Sequence, residues 1–166
     1  MKMKKLNFII KCGLALLLLS FYSCESWLNV TPSDRLSEEM LFNDREGFVK
    51  ALNGVYIELN TNELYGRNLT AGALDVMGQY YSVASSSHAF YNYGGLVYTG
   101  NDEKALFDNM WQKCYAVIAC CNTIIEKCDE NKAGLSPVWR GSIKGEALAL
   151  RAMLHFDMLR LFGPLT

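Results

Sequence analysis

The second half of the chain carries two long runs of apolar residues at the spacing of a buried helix face. The first run steps by three or four positions through Leu106, Met110, Cys114, Val117, Cys121, Ile124 and Cys128. The second run contains Ile143, Ala147, Leu150, Leu154, Met158 and Leu161. A short polar loop separates them, and Ser136 and Pro137 suit the N-cap and first position of the second helix. The pattern predicts two long helices packed antiparallel.

The first half of the chain gives weaker helical signals. Residues 37–42 predict one helical turn. Asn43 stands three residues before Glu46, which favours a capped helix over about residues 44–60. The buried face of that helix is predicted to contain Phe48, Leu52, Val55, Tyr56 and Leu59.

Between these helices the periodicity weakens and then disappears. Residues 68–83 predict a helix that two glycines destabilise by about 1 kcal/mol each relative to alanine. Residues 84–102 are rich in Ser, Gly, Asn and Tyr and have no helical period. We expect a long irregular stretch there, with a short hairpin at Gly94-Gly95.

The chain begins with the layout of an export signal. Four lysines and no acidic residue lie within residues 1–11, and the next 11 residues, 12–22, carry no charge. That apolar run is too short for a bilayer, which needs about 20 residues of helix. It ends at Phe21-Tyr22-Ser23-Cys24, which resembles a bacterial lipoprotein signal with an acylated cysteine. We expect a signal peptide over residues 1–23 and a lipid anchor on Cys24. A plain signal peptide is the alternative.

Charge and hydropathy exclude two classes of partner for the segment after Cys24. All 17 acidic residues but only 12 of the 16 lysines and arginines follow Cys24, so this segment has a net charge near −5. It has no basic patch with interleaved aromatic residues, and we expect no nucleic-acid partner. It also has no second apolar stretch near 18 residues, so we expect no transmembrane helix.

The cysteines of the first long run predict buried thiols. Cys114, Cys121 and Cys128 repeat every seven residues and so lie along one helix face, about 10 Å apart. That separation is too large for disulfides among them. We expect these three and Cys120 to be free thiols that behave as small hydrophobic residues. There is no CxxC spacing to indicate a zinc site.

The residues needed for catalysis are poorly supplied. His88 and His155 are the only histidines, and neither lies in an HExxH motif. Ser85-Ser86-Ser87-His88 reads as a polar loop because it lacks the G-x-S-x-G pattern of a nucleophile elbow. We therefore predict that the protein is not an enzyme and uses no cofactor or metal.

Four stretches, taken in order, carry a family resemblance. They are "SCESWLNVTPSDRLSEEMLFNDREGFVKALNGVY", "LTAGALDVMGQ", "MWQKCYAVIACCNTIIEK" and "GEALALRAMLHFDMLRLFGPL". They contain Ala-x-Asn-Gly-x-Tyr at residues 51–56, Trp-x-x-x-Tyr-x-x-Ile-x-x-x-Asn at 111–122 and Glu-Ala-x-x-x-Arg-Ala-x-x-x-Phe at 146–156. Together they resemble the N-terminal part of the SusD/RagB family of Bacteroidetes outer-membrane lipoproteins. The resemblance covers essentially the whole chain.

The resemblance implies an all-α fold of tetratricopeptide-like helix pairs, lipid-anchored at the cell outer membrane and exposed at the surface. It implies a partnership with a SusC-like TonB-dependent porin, to which glycans or other nutrients are delivered. The domains would be the signal peptide, a lipid-anchored tether over residues 24–43 and an incomplete helical domain over residues 44–166. Because full family members are several hundred residues long, the resemblance also predicts a truncated chain. The alternatives are a helical lipoprotein that only scaffolds other envelope proteins, and a fragment without function.

The resemblance places ligand binding in residues 75–101, which we call the tyrosine-rich segment. Flat aromatic faces suit the C–H surfaces of sugars, and polar groups on a loop suit their hydroxyls. The predicted ligand-binding residues are Asp75, Gln79, Tyr80, Tyr81, Tyr91, Asn92 and Tyr93. His88 and Tyr98 belong to the same mix of aromatic and polar residues in this segment. Packing of some of these tyrosines onto the helices is the competing interpretation.

Several positions of the family motifs are predicted to be structural in this chain. Trp111, Tyr115 and Asn122 lie at helical spacing, which favours core packing or hydrogen bonding between helices. Glu146 and Arg151 are five residues apart and so cannot form a local i,i+4 pair. For Arg151 we expect a tertiary salt bridge or a helix cap in place of anion binding.

Overall fold

The computed structural model describes residues 38–164. Within this range all regular secondary structure is helical. The helices are α1 (Glu38–Leu41), α2 (Arg45–Leu59), α3 (Ala73–Met77), α4 (Tyr91–Gly94), α5 (Asn101–Glu130) and α6 (Pro137–Phe162). The predicted all-α class is confirmed. The predicted signal peptide, the Cys24 lipid anchor and residues 24–37 of the predicted tether lie outside the described residues.

Helices α5 and α6 form the antiparallel hairpin that the sequence predicted. Their seam is built from the two predicted apolar faces, which are buried except for the half-buried Leu106 and Leu161. Asn131 ends α5 in the left-handed conformation, with φ 47°. Ser136 accepts a hydrogen bond from the Trp139 backbone N–H at 3.4 Å and caps α6. Each buried Leu, Ile or Met in the seam contributes about 1.5–3 kcal/mol of hydrophobic stabilisation.

Helix α2 packs on this hairpin with the predicted residues Phe48, Leu52, Val55 and Leu59. Tyr56, predicted to be buried, is exposed instead and donates its hydroxyl hydrogen bond to Glu146 of α6. The cap also differs from the prediction. Asp44, and not Asn43, accepts the hydrogen bond from the Gly47 N–H at 2.8 Å.

The turn after α2 is tied to α6. Leu64 and Leu69 are buried in the core, and the hydroxyl of Tyr65 between them donates to the carboxylate of Asp157. Asp157 also pairs with Arg160 at 3.2 Å. Burial, followed by the hydrogen bond to Asp157, raises the pKa of the Tyr65 phenol. The turn is therefore held by a polar contact as well as by apolar packing.

The predicted helix over residues 68–83 is wrong in its extent. Only α3, five residues long, is helical in that range. At Gly72 the chain passes close to the preceding turn, and a Cβ there would lie 2.6 Å from the backbone oxygen of Arg67. The hairpin predicted at Gly94-Gly95 is also wrong, because these glycines end the single-turn helix α4.

Polar contacts between the long helices replace the salt bridge predicted for Arg151. Its guanidinium donates to the amide oxygen of Asn122 at 2.7 Å, so Asn122 makes the interhelix hydrogen bond that the sequence indicated, whereas Arg151 forms neither a salt bridge nor a helix cap among the described residues. Trp111 and Tyr115 are half-buried, with ring centroids 4.8 Å apart. Within residues 38–164 no helix combines the length and apolarity needed to cross a membrane.

The cysteines lie where the heptad spacing predicted. Cys114, Cys121 and Cys128 are free and buried in the seam, whereas the free Cys120 is exposed. Burial raises the pKa of the Cys114 thiol to about 12 and that of Cys121 to about 11. The described part of the chain contains no group of three or more His, Cys, Asp or Glu that could hold a metal ion.

Candidate ligand-binding cleft

The tyrosine-rich segment is held to the long helices by a row of aromatic rings. Tyr93 is only 2% exposed, and its ring centroid lies 5.8 Å from Phe90 and 6.0 Å from Phe107 of α5. Phe107 continues the row to Phe162 at the end of α6, at 6.2 Å. Tyr98 packs edge-on against Phe107 at 5.4 Å. We call Phe90, Tyr93, Tyr98, Phe107 and Phe162 the aromatic seam.

Two non-glycine residues of the segment adopt left-handed backbone conformations. Gln79 has φ 62° and Leu96 has φ 55°, a region that costs such residues free energy and is often found at functional sites. The Gln79 side chain compensates by donating to the backbone oxygens of Gly94, at 2.9 Å, and Val76, at 3.4 Å. This contact joins the end of α3 to α4 across the segment.

A cleft of about 380 Å³ lies between the residues that follow α3 and those in and after α4. Its walls are Gln79, Tyr81, Ser82, Val83, Tyr91, Asn92, Gly94, Gly95 and Val97. Tyr81 is 58% exposed and Tyr91 is 42% exposed, so both rings are accessible to a ligand. The cleft thus combines aromatic rings with two side-chain amides, as sites for polar molecules with C–H faces require.

Glu103, in the first turn of α5, is not a wall of the cleft but is hydrogen-bonded to one of its walls, Asn92. The Asn92 side-chain N–H donates to Glu103 Oε1 at 2.7 Å. Glu103 is only 6% exposed. The hydrogen bond from Asn92 lowers the pKa of this carboxyl, which favours its ionised form.

The structure brings together four of the seven residues predicted to bind ligand: Gln79, Tyr81, Tyr91 and Asn92. The other three do not line the cleft. Tyr93 is buried in the aromatic seam, Asp75 is half-buried in α3, and Tyr80 is 81% exposed outside the cleft walls. The competing interpretation, packing onto the helices, therefore describes Tyr93.

The remaining residues of the segment have local structural contacts or were not anticipated. His88 accepts a hydrogen bond from the Phe90 N–H at 3.1 Å, and Tyr98 belongs to the aromatic seam. Sequence reasoning missed Ser82, Val83 and Val97 as walls of the cleft. It also missed Glu103, whose only signal was its place in the first turn of a predicted helix.

Two other depressions on the described surface lack accessible aromatic faces. One, of about 500 Å³, is lined by Glu63, Asn109, Gln112, Lys113 and Ala116. The other, of about 70 Å³, is lined by Glu39, Phe42, Asn43, Lys127, Glu130 and Lys132, and Phe42 is buried. Of these three, the cleft in the tyrosine-rich segment is the best candidate for binding a polar, partly apolar ligand.

The described residues form an all-α protein whose candidate ligand-binding cleft lies on an irregular, aromatic-rich segment. Comparison with known families gives the family itself. Residues 26–166 match the SusD-like family model described as "Starch-binding associating with outer membrane". The chain belongs to this SusD-like family, as the four sequence stretches predicted.

Curated relatives agree with the family match. The chain is 26% identical over 170 residues to SusD-like protein P2 of Formosa agariphila, which covers 99% of this chain and 31% of the relative. It is 23% identical over 163 residues to SusD-like protein P25 of the same organism, covering 89% of this chain and 29% of the relative. The chain thus spans about a third of the length of these relatives. No solved structure gives a significant match.

Proposed function

We propose that this protein is a glycan-binding component of an outer-membrane nutrient-uptake system, and that the tyrosine-lined cleft contacts the glycan. The observation that carries the proposal is the convergence of Tyr81, Tyr91, Gln79 and Asn92 on one accessible cleft. The family description, which names starch binding and association with the outer membrane, supports both the ligand class and the location.

The chemistry of the cleft fits binding without a reaction. Exposed tyrosine rings can stack on the C–H faces of a sugar, and the amide groups can exchange hydrogen bonds with its hydroxyls. The walls contain no histidine, carboxylate or cysteine that would serve as an acid, base or nucleophile. We therefore propose a binding protein and not an enzyme.

The proposal extends to the membrane and to a transporter. Acylation of Cys24 would attach the chain to the outer membrane, with the described helices at the cell surface. A SusC-like TonB-dependent porin would receive the bound glycan. The lipid anchor, the surface location and the transporter partner rest on the sequence resemblance, and the family's association with the outer membrane supports them.

Binding is tested with the full chain purified in detergent and a panel of oligosaccharides that includes malto-oligosaccharides. Tyr81→Ala and Tyr91→Ala each remove a ring from the cleft, and we expect each to weaken binding by about tenfold, which corresponds to about 1.4 kcal/mol. Isothermal titration calorimetry measures the change.

Tyr80→Ala is the matched control, because it removes an exposed ring that does not line the cleft. We expect it to bind like the wild type. If all three variants lost affinity equally, or if Tyr81 and Tyr91 could be removed without effect, the cleft would not be the glycan site.

The lipid anchor has its own test. In cells that process lipoproteins, Cys24→Ala should abolish incorporation of labelled palmitate and release the protein from the membrane fraction, because the acyl chains would be its attachment. Cys120→Ala, at an exposed cysteine of α5, should keep the label. A wild-type protein that is unlabelled and absent from membranes would contradict the anchor.

A further inference from the structure

Both side-chain amides of the cleft are held in one orientation by the protein. Gln79 directs its NH2 group to the backbone oxygens of Gly94 and Val76, and Asn92 directs its NH2 group to Glu103. Backbone oxygens and carboxylate oxygens only accept hydrogen bonds, so the nitrogen of each amide must face them. The chemistry of the partners therefore fixes which amide atom is oxygen and which is nitrogen.

This orientation leaves oxygen atoms for a ligand. Among residues 38–164 no hydrogen bond uses the side-chain oxygen of Gln79 or of Asn92, although both residues line the cleft. Nor does any of the nine cleft walls carry a positive charge. The two amides thus offer hydrogen-bond acceptors to a ligand, without a cation beside them.

The carboxylate of Glu103 lies directly beside Gly100, at the start of α5. A Cβ at Gly100 would lie 1.9 Å from Glu103 Oε2, so the carboxylate fills the space that a side chain there would need. The carboxylate does not line the cleft itself. It acts on a ligand only through the orientation of Asn92.

We propose that Glu103 is a positioning residue that fixes Asn92 as an acceptor, so that the cleft selects neutral glycans, which donate hydroxyl hydrogens, over anionic ones. This inference rests on the proposed glycan binding and specifies its ligand class. The carboxylate of a uronic acid would face two amide oxygens and no cation. Only neutral donors, the hydroxyl groups of the walls and the second N–H of Asn92, would be left to it, so the desolvation of its charge would be only partly offset. A neutral sugar of the same size meets no such penalty.

Selectivity is measured with two probes, maltoheptaose and an oligogalacturonate of seven residues, titrated into the full chain in detergent. We expect the wild type to bind maltoheptaose at least tenfold more tightly. In Glu103→Gln the Asn92 amide is free to rotate, because the new partner both donates and accepts. We expect this variant to bind maltoheptaose several-fold more weakly and to reduce the ratio of its affinities for maltoheptaose and the oligogalacturonate. Glu126→Gln, an exposed site on the same helix, is the matched control and should keep the ratio.

A spectroscopic measurement tests the orientation without a ligand. The Asn92 side-chain amide protons, observed by ¹⁵N NMR, should titrate with Glu103 at a pH below the ordinary pKa of a glutamate, and Glu103→Gln should abolish this step. The Tyr93 phenol on α4 lies near the carboxylates of both Glu103 and Asp102 on α5, and burial, followed by these two charges, raises its pKa. Tyr93 titrates at high pH, and Asp102→Asn separates the titration of Asp102 from that of Glu103.

The outcomes are distinct. Asn92 protons that ignore both pH and Glu103→Gln would overturn the positioning role, whatever the glycan data show. Equal affinity of the wild type for both probes, or an unchanged ratio in Glu103→Gln, would overturn the selectivity. If the wild type bound no glycan in the panel, the proposed function would be wrong and this inference with it. A shifted Asn92 signal together with a narrowed ratio supports the inference.

Discussion

Three cysteines of α5 are protected by their position in the α5–α6 seam. Cys114, Cys121 and Cys128 are fully buried, and burial raises the pKa of each thiol. The thiolate is the form that reacts with alkylating reagents. The raised pKa values and the burial of these thiols therefore both slow their alkylation. The seven-residue spacing was enough to predict this burial, because it follows from helix geometry alone.

Alkylation at pH 8 should distinguish the adjacent Cys120 and Cys121. We expect iodoacetamide to modify Cys120 quickly in the folded protein and to leave the three seam cysteines unmodified, because their thiols stay protonated and buried. Mass spectrometry of α5 peptides measures the label, and Cys120→Ser should remove it. Unfolding in urea is the control that exposes all four. Rapid labelling of Cys121 in the folded chain would contradict the helix register.

At the scale of elements, the sequence predicted the long helices, α2 and the single turn α1. It failed between α2 and α5, where the helix over residues 68–83 and the hairpin at Gly94-Gly95 are not formed. The apolar periods of α5 and α6 extend over many turns, so one irregular position does not alter the prediction of a helix. Residues 68–83 contain too few periodic positions for that, and the close backbone contact at Gly72 precludes a longer helix there. At the start of α2, Asn43 and Asp44 are both good caps, and only the observed backbone distinguishes them.

Two glycine substitutions are expected to change stability in opposite directions. Gly72→Ala would place a Cβ 2.6 Å from the Arg67 backbone oxygen, so the turn must move, and we expect a loss of roughly 1–3 kcal/mol. Gly145→Ala lies inside α6 with nothing within 4 Å of the new Cβ, and we expect a gain of about 0.5–1 kcal/mol from helix propensity. Urea unfolding followed by circular dichroism measures both. Changes of the same sign would show that one of the two environments is wrongly described.

At the scale of the whole molecule, the outer side of α6 presents an apolar face. The face contains Leu148, Ala152, Met153, Phe156 and Leu159, all exposed, with Phe156 at 57%. Soluble monomers seldom expose apolar patches of more than a few hundred Å². Leu148, Ala152, Phe156 and Leu159 recur at helical spacing, so they form a second apolar side of the same helix, opposite the buried one.

We expect residues 25–166, expressed without lipid, to associate as concentration rises, because association removes this face from water. Phe156→Gln should shift the association to higher concentration, as sedimentation velocity would measure. Ile57→Gln on α2 is the control, since it removes an exposed apolar side chain that lies outside the face. A wild-type fragment that stays monomeric and unfolds in one sharp transition would contradict this expectation.

The cleft shows where sequence reasoning stops at this scale. Composition was enough to indicate the tyrosine-rich segment, because aromatic and amide residues are concentrated there. It could not separate Tyr91 from Tyr93, two positions along the same short helix, of which one faces solvent and the other the aromatic seam. Nor could it pair Asn92 with Glu103, since that hydrogen bond depends on how the segment folds back onto α5.

The aromatic seam also has a consequence for how this protein can diversify. The segment is attached to the hairpin through buried rings such as Tyr93 and Phe107, whereas Tyr81 and Tyr91 face solvent. Mutations at the exposed rings can therefore alter the proposed binding site at little cost in folding free energy. Mutations in the aromatic seam would change the folding free energy together with the shape of the proposed binding site. Natural variants should accordingly accumulate substitutions on the cleft walls while the ring packing beneath them persists, as antibody loops vary on a constant framework.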